Sequence, residues 1–258
     1  MSNPNLIALK TIARREVMRI LRIWGQTLVP PAITMTLYFL IFGKLIGSRI
    51  GTMGGFDYMD FIVPGLVMMA VIQNAYGNIS SSFFGAKFGR HVEELLVSPM
   101  PNWVILLGYV AGGVLRGLMV GIIVLAIAMC FTHVRVPHPF VMFSTVILGA
   151  TIFSLAGFVN AVYAKKFDDI AIIPTFILTP LTYLGGVFYS VKVLPPWAEA
   201  ATHANPIFYM VNAFRYGLLG DGASDLPVWT SFGVMVFFVL ALGWLGLRLL
   251  TKGVGLRS

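Results

Sequence analysis

The chain has 258 residues, of which 58% are hydrophobic and only 11% charged, and its mean hydropathy is +0.86. So few charges cannot cover that much apolar surface in water, which excludes a soluble globular fold and points to an all-α polytopic membrane protein solvated by lipid. The formal net charge of +8 falls at the ends of apolar stretches and not in one patch, which favours membrane orientation over a nucleic-acid partner.

Residues 5–24 have the pattern of an amphipathic helix. Leu6, Leu9, Ala13, Val17, Ile20, Leu21 and Trp24 share one stripe at helical spacing, with Arg14, Arg15, Arg19 and Arg22 on the other side. Such a helix lies in the cytoplasmic interface with its cations among lipid headgroups, so residues 1–25 are expected to form an interfacial segment and residues 26–258 the transmembrane domain. The apolar run that follows continues past Lys44 to Ile46 with no Ala-x-Ala-like site after it, and it reads as a retained first span and not as a signal peptide.

Six stretches are long enough to cross a bilayer as helices: Thr27–Ile46, Tyr58–Phe84, Trp103–Phe131, Phe140–Ala164, Ile170–Tyr189 and Val228–Leu250. Pro174 and Pro180 predict a kink in the fifth, which closes on Gly185-Gly186. With both termini cytosolic, the inner side holds Lys10, Arg14, Arg15, Arg19, Arg22, Lys87, Arg90, Lys165, Lys166, Arg248, Lys252 and Arg257. The outer side then holds only Lys44, Arg49, Arg135, Lys192 and Arg215. That asymmetry sets the orientation.

Between the second and third spans lies a polar island, Ala86 to Pro99. Gly85 and Gly89 loosen the exit from the span, and Pro99 and Pro101 stop a short helix. Arg90 precedes Glu93 and Glu94 by three and four residues, so they are expected to pair, while Leu95 and Leu96 give an apolar face. This is either a docking surface for a soluble partner or a solvated connector. Between the fifth and sixth spans, Gly185 to Gly220 is too long for a turn and too apolar for a free loop. Pro195-Pro196 and Asn205-Pro206 break it, Trp197 and Tyr209 suit an interface, and two short helices dipping into the outer leaflet (about residues 190–217) satisfy these cues.

Chemistry is sparse. There is no G-x-x-x-x-G-K-[ST], no H-E-x-x-H and no G-x-S-x-G; His91, His133, His138 and His203 are scattered, and Cys130 is the only cysteine. No catalytic, cofactor or metal site is expected in this chain. Every carboxylate, Glu16 and Asp225 included, falls outside the spans or at their edges, so no mid-membrane group is evident to carry a coupling ion. Arg116 is the one charge inside a span; at a cost of about 2.5–3.5 kcal/mol on insertion scales it should face protein or an aqueous cavity. It is either paired to a carbonyl or polar side chain, or it is a contact for an anionic substrate or gate. Gly113, Gly117 and Gly121 repeat beside it at four-residue spacing and invite a close helix. With 20 Phe, 9 Tyr and 5 Trp, a path through such spans suits an amphipathic or lipid-attached cargo better than a small ion.

Two segments resemble a known family, the membrane subunits of type-2 ABC exporters (ABC-2 permeases). FGRHVEELLVSPMPNWVILLGYVAGG, residues 88–113, is similar to the family's first cytoplasmic loop and the start of its third span. GGVFYSVKVLPPWAEAATHANPIFYMVNAFRYG, residues 185–217, is similar to its Gly-Gly, Leu-Pro-x-Trp, Asn-Pro-x-x-Tyr and Arg signature. The resemblance implies an inner-membrane exporter permease of bacteria that pairs with a second copy of itself and with a separate ATPase, which uses ATP and Mg. It implies a coupling helix over 87–99, with Arg90, Glu93, Glu94, Leu95 and Leu96, and with Arg14 and Arg15 of the N-terminal helix, against that ATPase. It also places the outer short helices near an exit path, where Tyr189, Trp197, Phe208 and Tyr209, with Arg116 deeper, are the candidate lining residues. The alternative reading of the residues is a self-contained secondary transporter or channel; a membrane enzyme ranks last.

Overall fold

The computed structural model describes residues 3–255, the side chain of Leu96 excepted; Arg257 of the expected inner set lies outside the described residues. The chain is helical almost throughout. In order, the elements are α1 (Pro4–Arg22), α2 (Trp24–Ile50), a two-stranded hairpin of β1 (Thr52–Met53) and β2 (Phe56–Asp57), α3 (Tyr58–Phe88), α4 (His91–Val97), α5 (Asn102–Ala128), α6 (Pro139–Tyr163), α7 (Asp169–Tyr183), α8 (Pro196–His203), α9 (Pro206–Leu219) and α10 (Val228–Lys252).

Local chemistry sets many of the boundaries. The Asn3 side chain accepts from the Asn5 amide at 3.1 Å, Pro4 follows at the first helical position, and Arg19 and Arg22 sit in the last turn of α1, where the helix dipole favours cations. Asn205 and Pro206 start α9 in the same way, and Gly220 with φ 88° ends it. Pro30 and Pro31 lie inside α2, and π-helical turns occupy Phe39–Ile46 and Pro174–Leu178. Widening at 174–178 lets the Thr179 hydroxyl reach the Pro174 carbonyl at 2.8 Å just before Pro180 removes a donor.

Five helices, α2, α3, α5, α6 and α10, are long and apolar enough to cross a membrane. The expected fifth span is shorter than the sequence suggested: α7 stops at Tyr183, because the chain turns at Leu184-Gly185-Gly186, with Gly186 at φ 72°. Helix α3 is the hub, sheathed by α5 and α6, whereas α2 and α10 leave large apolar side chains such as Ile33, Leu240 and Trp244 exposed for lipid.

The glycines of α5 face two ways within one chain. Gly113, Gly117 and Gly121 receive Ala75 and Val71 of α3 and Ser154 and Ala150 of α6, so the close neighbours invited by that repeat belong to the same subunit. One position round, Gly108 and Gly112 receive Ile12 and Glu16 of α1.

Contacts sort the helix ends into two sets. At one end, the Lys87 ammonium donates to the carbonyls of Val162 and Ala164 at 2.6 and 2.7 Å, and Asn102 donates to Thr251 at 3.2 Å. At the other, Thr132 donates to Asp60, the His138 amide donates to the Gly217 carbonyl at 3.2 Å, and the Tyr58 hydroxyl donates to the Phe188 carbonyl at 3.1 Å. The first end carries α1, α4 and most of the basic residues.

Candidate functional site

The basic end is built around the exit from α3. Gly89 leads into Arg90, which sits in the left-handed region at φ 59°, a conformation that costs a non-glycine residue about 1–2 kcal/mol. That turn redirects the chain into α4. Val92, only 2% exposed, anchors the short helix in a cluster with Phe84, Val104 and Phe158. The Ser98 hydroxyl donates to the Leu95 carbonyl at 2.7 Å and closes it. Glu93 and Glu94 occupy the first turn, where the helix dipole favours them.

Arg90, Glu93 and Glu94 are exposed and Leu95 is partly buried. The expected pairing does not occur: among the described residues no ion pair joins Arg90 to either glutamate, because the left-handed turn takes Arg90 out of the helical register. All three charges therefore face solvent, next to the exposed apolar side chains of Phe88 and Val97. Lys87, expected in the polar island, instead caps the C-terminus of α6. Phe167 packs edge-on to both Phe84 and Phe88, at 4.9 and 5.1 Å between ring centres. The Asp169 carboxylate accepts from the Lys165 and Lys166 amides at 2.8 and 3.0 Å, which lowers its pKa from the ordinary value.

Helix α1 lies against this assembly differently from its expected stripe. Leu6, Leu21 and Trp24 are exposed; the buried line is Ile12, Glu16 and Ile20. Glu16, expected at a solvated edge, is 1% exposed. Its carboxylate accepts from Ser82 at 2.7 Å and Arg19 at 3.1 Å, with Arg15 at 3.7 Å. Arg19 also donates to the Asn78 side-chain oxygen at 2.7 Å, and Arg15 to the Tyr109 hydroxyl at 2.5 Å. Arg14 is exposed. One pairing continues the series deeper: Arg116 donates to the Asn74 side chain at 3.1 Å. Asn74, Asn78 and Ser82 thus form a polar line at four-residue spacing on α3, faced by Arg116, Arg19 and Glu16. That spacing inside an apolar span was the sequence signal for these residues.

At the opposite end the signature segment forms a knot. Arg215, expected among the outer cations, is instead fully buried because it donates to the Gly186 carbonyl at 2.6 Å, lies 3.6 Å from Asp225 and stacks 3.9 Å over the Phe61 ring. Asn212 accepts from the Asp225 amide at 2.7 Å and donates to the Leu226 carbonyl and Ser231 hydroxyl at 3.0 Å. The Tyr209 hydroxyl donates to the His203 carbonyl at 2.8 Å. Of the candidate lining residues, Phe208 is buried, Tyr189 is half-buried and Trp197 is 77% exposed. They gather at this end, and Arg116 does not join them.

The chain matches the ABC-2 type transporter family over residues 7–219. It is 59% identical over 253 residues, 98% of both chains, to the inner membrane transport permease YadH of Escherichia coli K12. It is 29% identical to nodulation protein J of Sinorhizobium fredii over 84% of this chain and 83% of that protein. It is 25% identical to the probable multidrug ABC transporter permease YbhR of Escherichia coli K12 over 68% of this chain and 48% of that protein. With α4, the buried signature knot and the multi-pass helices all inside or beside the matched span, the chain belongs to the ABC-2 type transporter family of membrane permeases.

Proposed function

We propose that this chain is the membrane subunit of an ATP-driven exporter in the inner membrane of a bacterium, acting as two copies with two separate ATPase subunits. The single observation that carries the reading is the construction of α4. It is a short helix fixed from below by Val92 and the strained Arg90 turn, yet it presents Glu93, Glu94 and Val97 to solvent. A solvated connector has no need of rigid anchorage, whereas a part that must transmit force between subunits does. The basic end then faces the cytosol, in line with the distribution of lysine and arginine. ATP and Mg are used by the partner; this chain contributes the contact and the pathway. The expected outcome is that the membrane-inserted permease copurifies with an ATPase and stimulates its hydrolysis.

The test is Glu94→Lys. The side chain is exposed, so expression and insertion stay at the parental level. Pull-down of the ATPase or its stimulation in reconstituted membranes falls, because the lysine now faces, as a like charge, the positive group of the partner that complemented the glutamate. Unchanged binding and stimulation in both Glu94→Lys and Leu96→Ala would reduce α4 to a connector and remove the support for this reading.

A further inference from the structure

Beside α4 lies an open cleft of about 600 Å³ between α1, the last turns of α3 and the start of α4, lined among others by Arg15, Glu16, Arg19, Arg22, Ser82 and His91. Three guanidinium groups and one carboxylate line it, and two of the three, Arg15 and Arg19, lie against that carboxylate. That carboxylate is already engaged on both oxygens, by Ser82 and by Arg19. The remaining inventory is an excess of donors. Arg19 Nε is buried with no partner, although its Nη2 is held by Glu16 and by the Asn78 side-chain oxygen, which lies outside the cleft. Guanidinium nitrogens only donate, so what the site lacks is an acceptor, and the surplus positive charge asks for an anionic one. Convergent arginines match the several oxygens of a phosphate group better than a lone carboxylate or chloride.

The surroundings say what carries that group. Met18 and Ile23 also line the cleft, and Leu21 and Trp24 stand exposed on the adjoining turn. A polar mouth with an apolar flank at the membrane surface suits a headgroup with a hydrocarbon tail. We propose that this cleft binds the phosphate group of an anionic amphiphile, either a membrane phospholipid or a phosphate-bearing cargo. The proposal does not depend on the ATPase pairing, and its test uses the permease alone.

Full-length permease in neutral detergent is titrated with phosphatidylglycerol, with dodecyl phosphate and with diacylglycerol, and retained ligand is counted by native mass spectrometry. The two phosphate-bearing probes bind and diacylglycerol does not; the tighter of the two identifies the source as bilayer lipid or single-chain cargo. Arg22→Gln, an exposed position, weakens phosphate-probe binding about tenfold, the loss of one charge-assisted contact. Arg14→Gln, equally exposed but outside the cleft, leaves it unchanged. Arg15→Gln, the other exposed arginine of the cleft, weakens phosphate-probe binding likewise and gives a second reading should Arg22→Gln fail to fold. Equal binding of diacylglycerol, or equal losses in Arg14→Gln and Arg22→Gln, overturns the proposal.

Discussion

Replacing Gly112 by alanine tests how α1 is held on the transmembrane core. A Cβ at this position would stand 2.6 Å from the Cβ and 2.9 Å from the Cγ of Glu16. Ordinary carbon contacts need about 3.5–4.0 Å, so the helices must separate by about 1 Å. The near atom belongs to the root of the Glu16 side chain and cannot swing away. Separation stretches the 2.7 Å bonds from Ser82 to Glu16 and from Arg19 to Asn78. Overpacking costs about 1–3 kcal/mol, and stretching a charge-assisted bond adds a fraction of the roughly 1.5–3 kcal/mol that losing it outright would cost. Against this, alanine gains at most about 1 kcal/mol in helix propensity. The net expectation for Gly112→Ala is a loss of roughly 1–3 kcal/mol, the bonds being weakened more than broken. Gly233 in α10 supplies the control, since a Cβ there meets nothing within 4 Å. Gly233→Ala should therefore be neutral or stabilising by up to about 1 kcal/mol. The assay is thermal unfolding of the two purified variants in the same detergent. Shifts of the same sign, or a Gly112→Ala variant as stable as the parent, refute the packing argument.

Arg215→Met should lower stability by about 1–3 kcal/mol, because it leaves the buried Gly186 carbonyl without its donor, whereas Asp225 keeps Ser190, the Val191 amide and Lys192; denaturation of Arg215→Met, Asp225→Asn and the double variant should show less than additive losses. In intact cells an impermeant maleimide should label the exposed Cys130, at the end opposite α1. A cysteine placed at position 91 in a Cys130→Ser background should stay unlabelled until the membrane is opened, and strong labelling from outside would reverse the orientation.

Much of this protein is written in short-range pattern. Apolar runs of bilayer length must become helices, since lipid offers the backbone no other partner, and their order and the broken fifth member follow from hydropathy, Pro174, Pro180 and the Gly185-Gly186 pair; six runs read as spans, yet among the described residues five helices have that length, because the fifth stops at Tyr183. The short helix after Gly89 and the pair of helices before the last span follow from proline and glycine punctuation in the same way. Tertiary structure decided which polar residues are buried. Glu16 reads as one more charge on a basic helix until Gly108 and Gly112 bring α1 within contact of α5, where the carboxylate is shared by Ser82 and Arg19. Arg215 reads as an outer-loop cation until the Gly186 turn delivers a carbonyl to it from 29 residues away in sequence. Arg90 reads as a partner for Glu93 until its left-handed backbone turns it away. Periodicity reports which face of a helix is apolar. It cannot report which distant donor or acceptor will satisfy a buried charge, because that depends on how helices far apart in sequence approach one another.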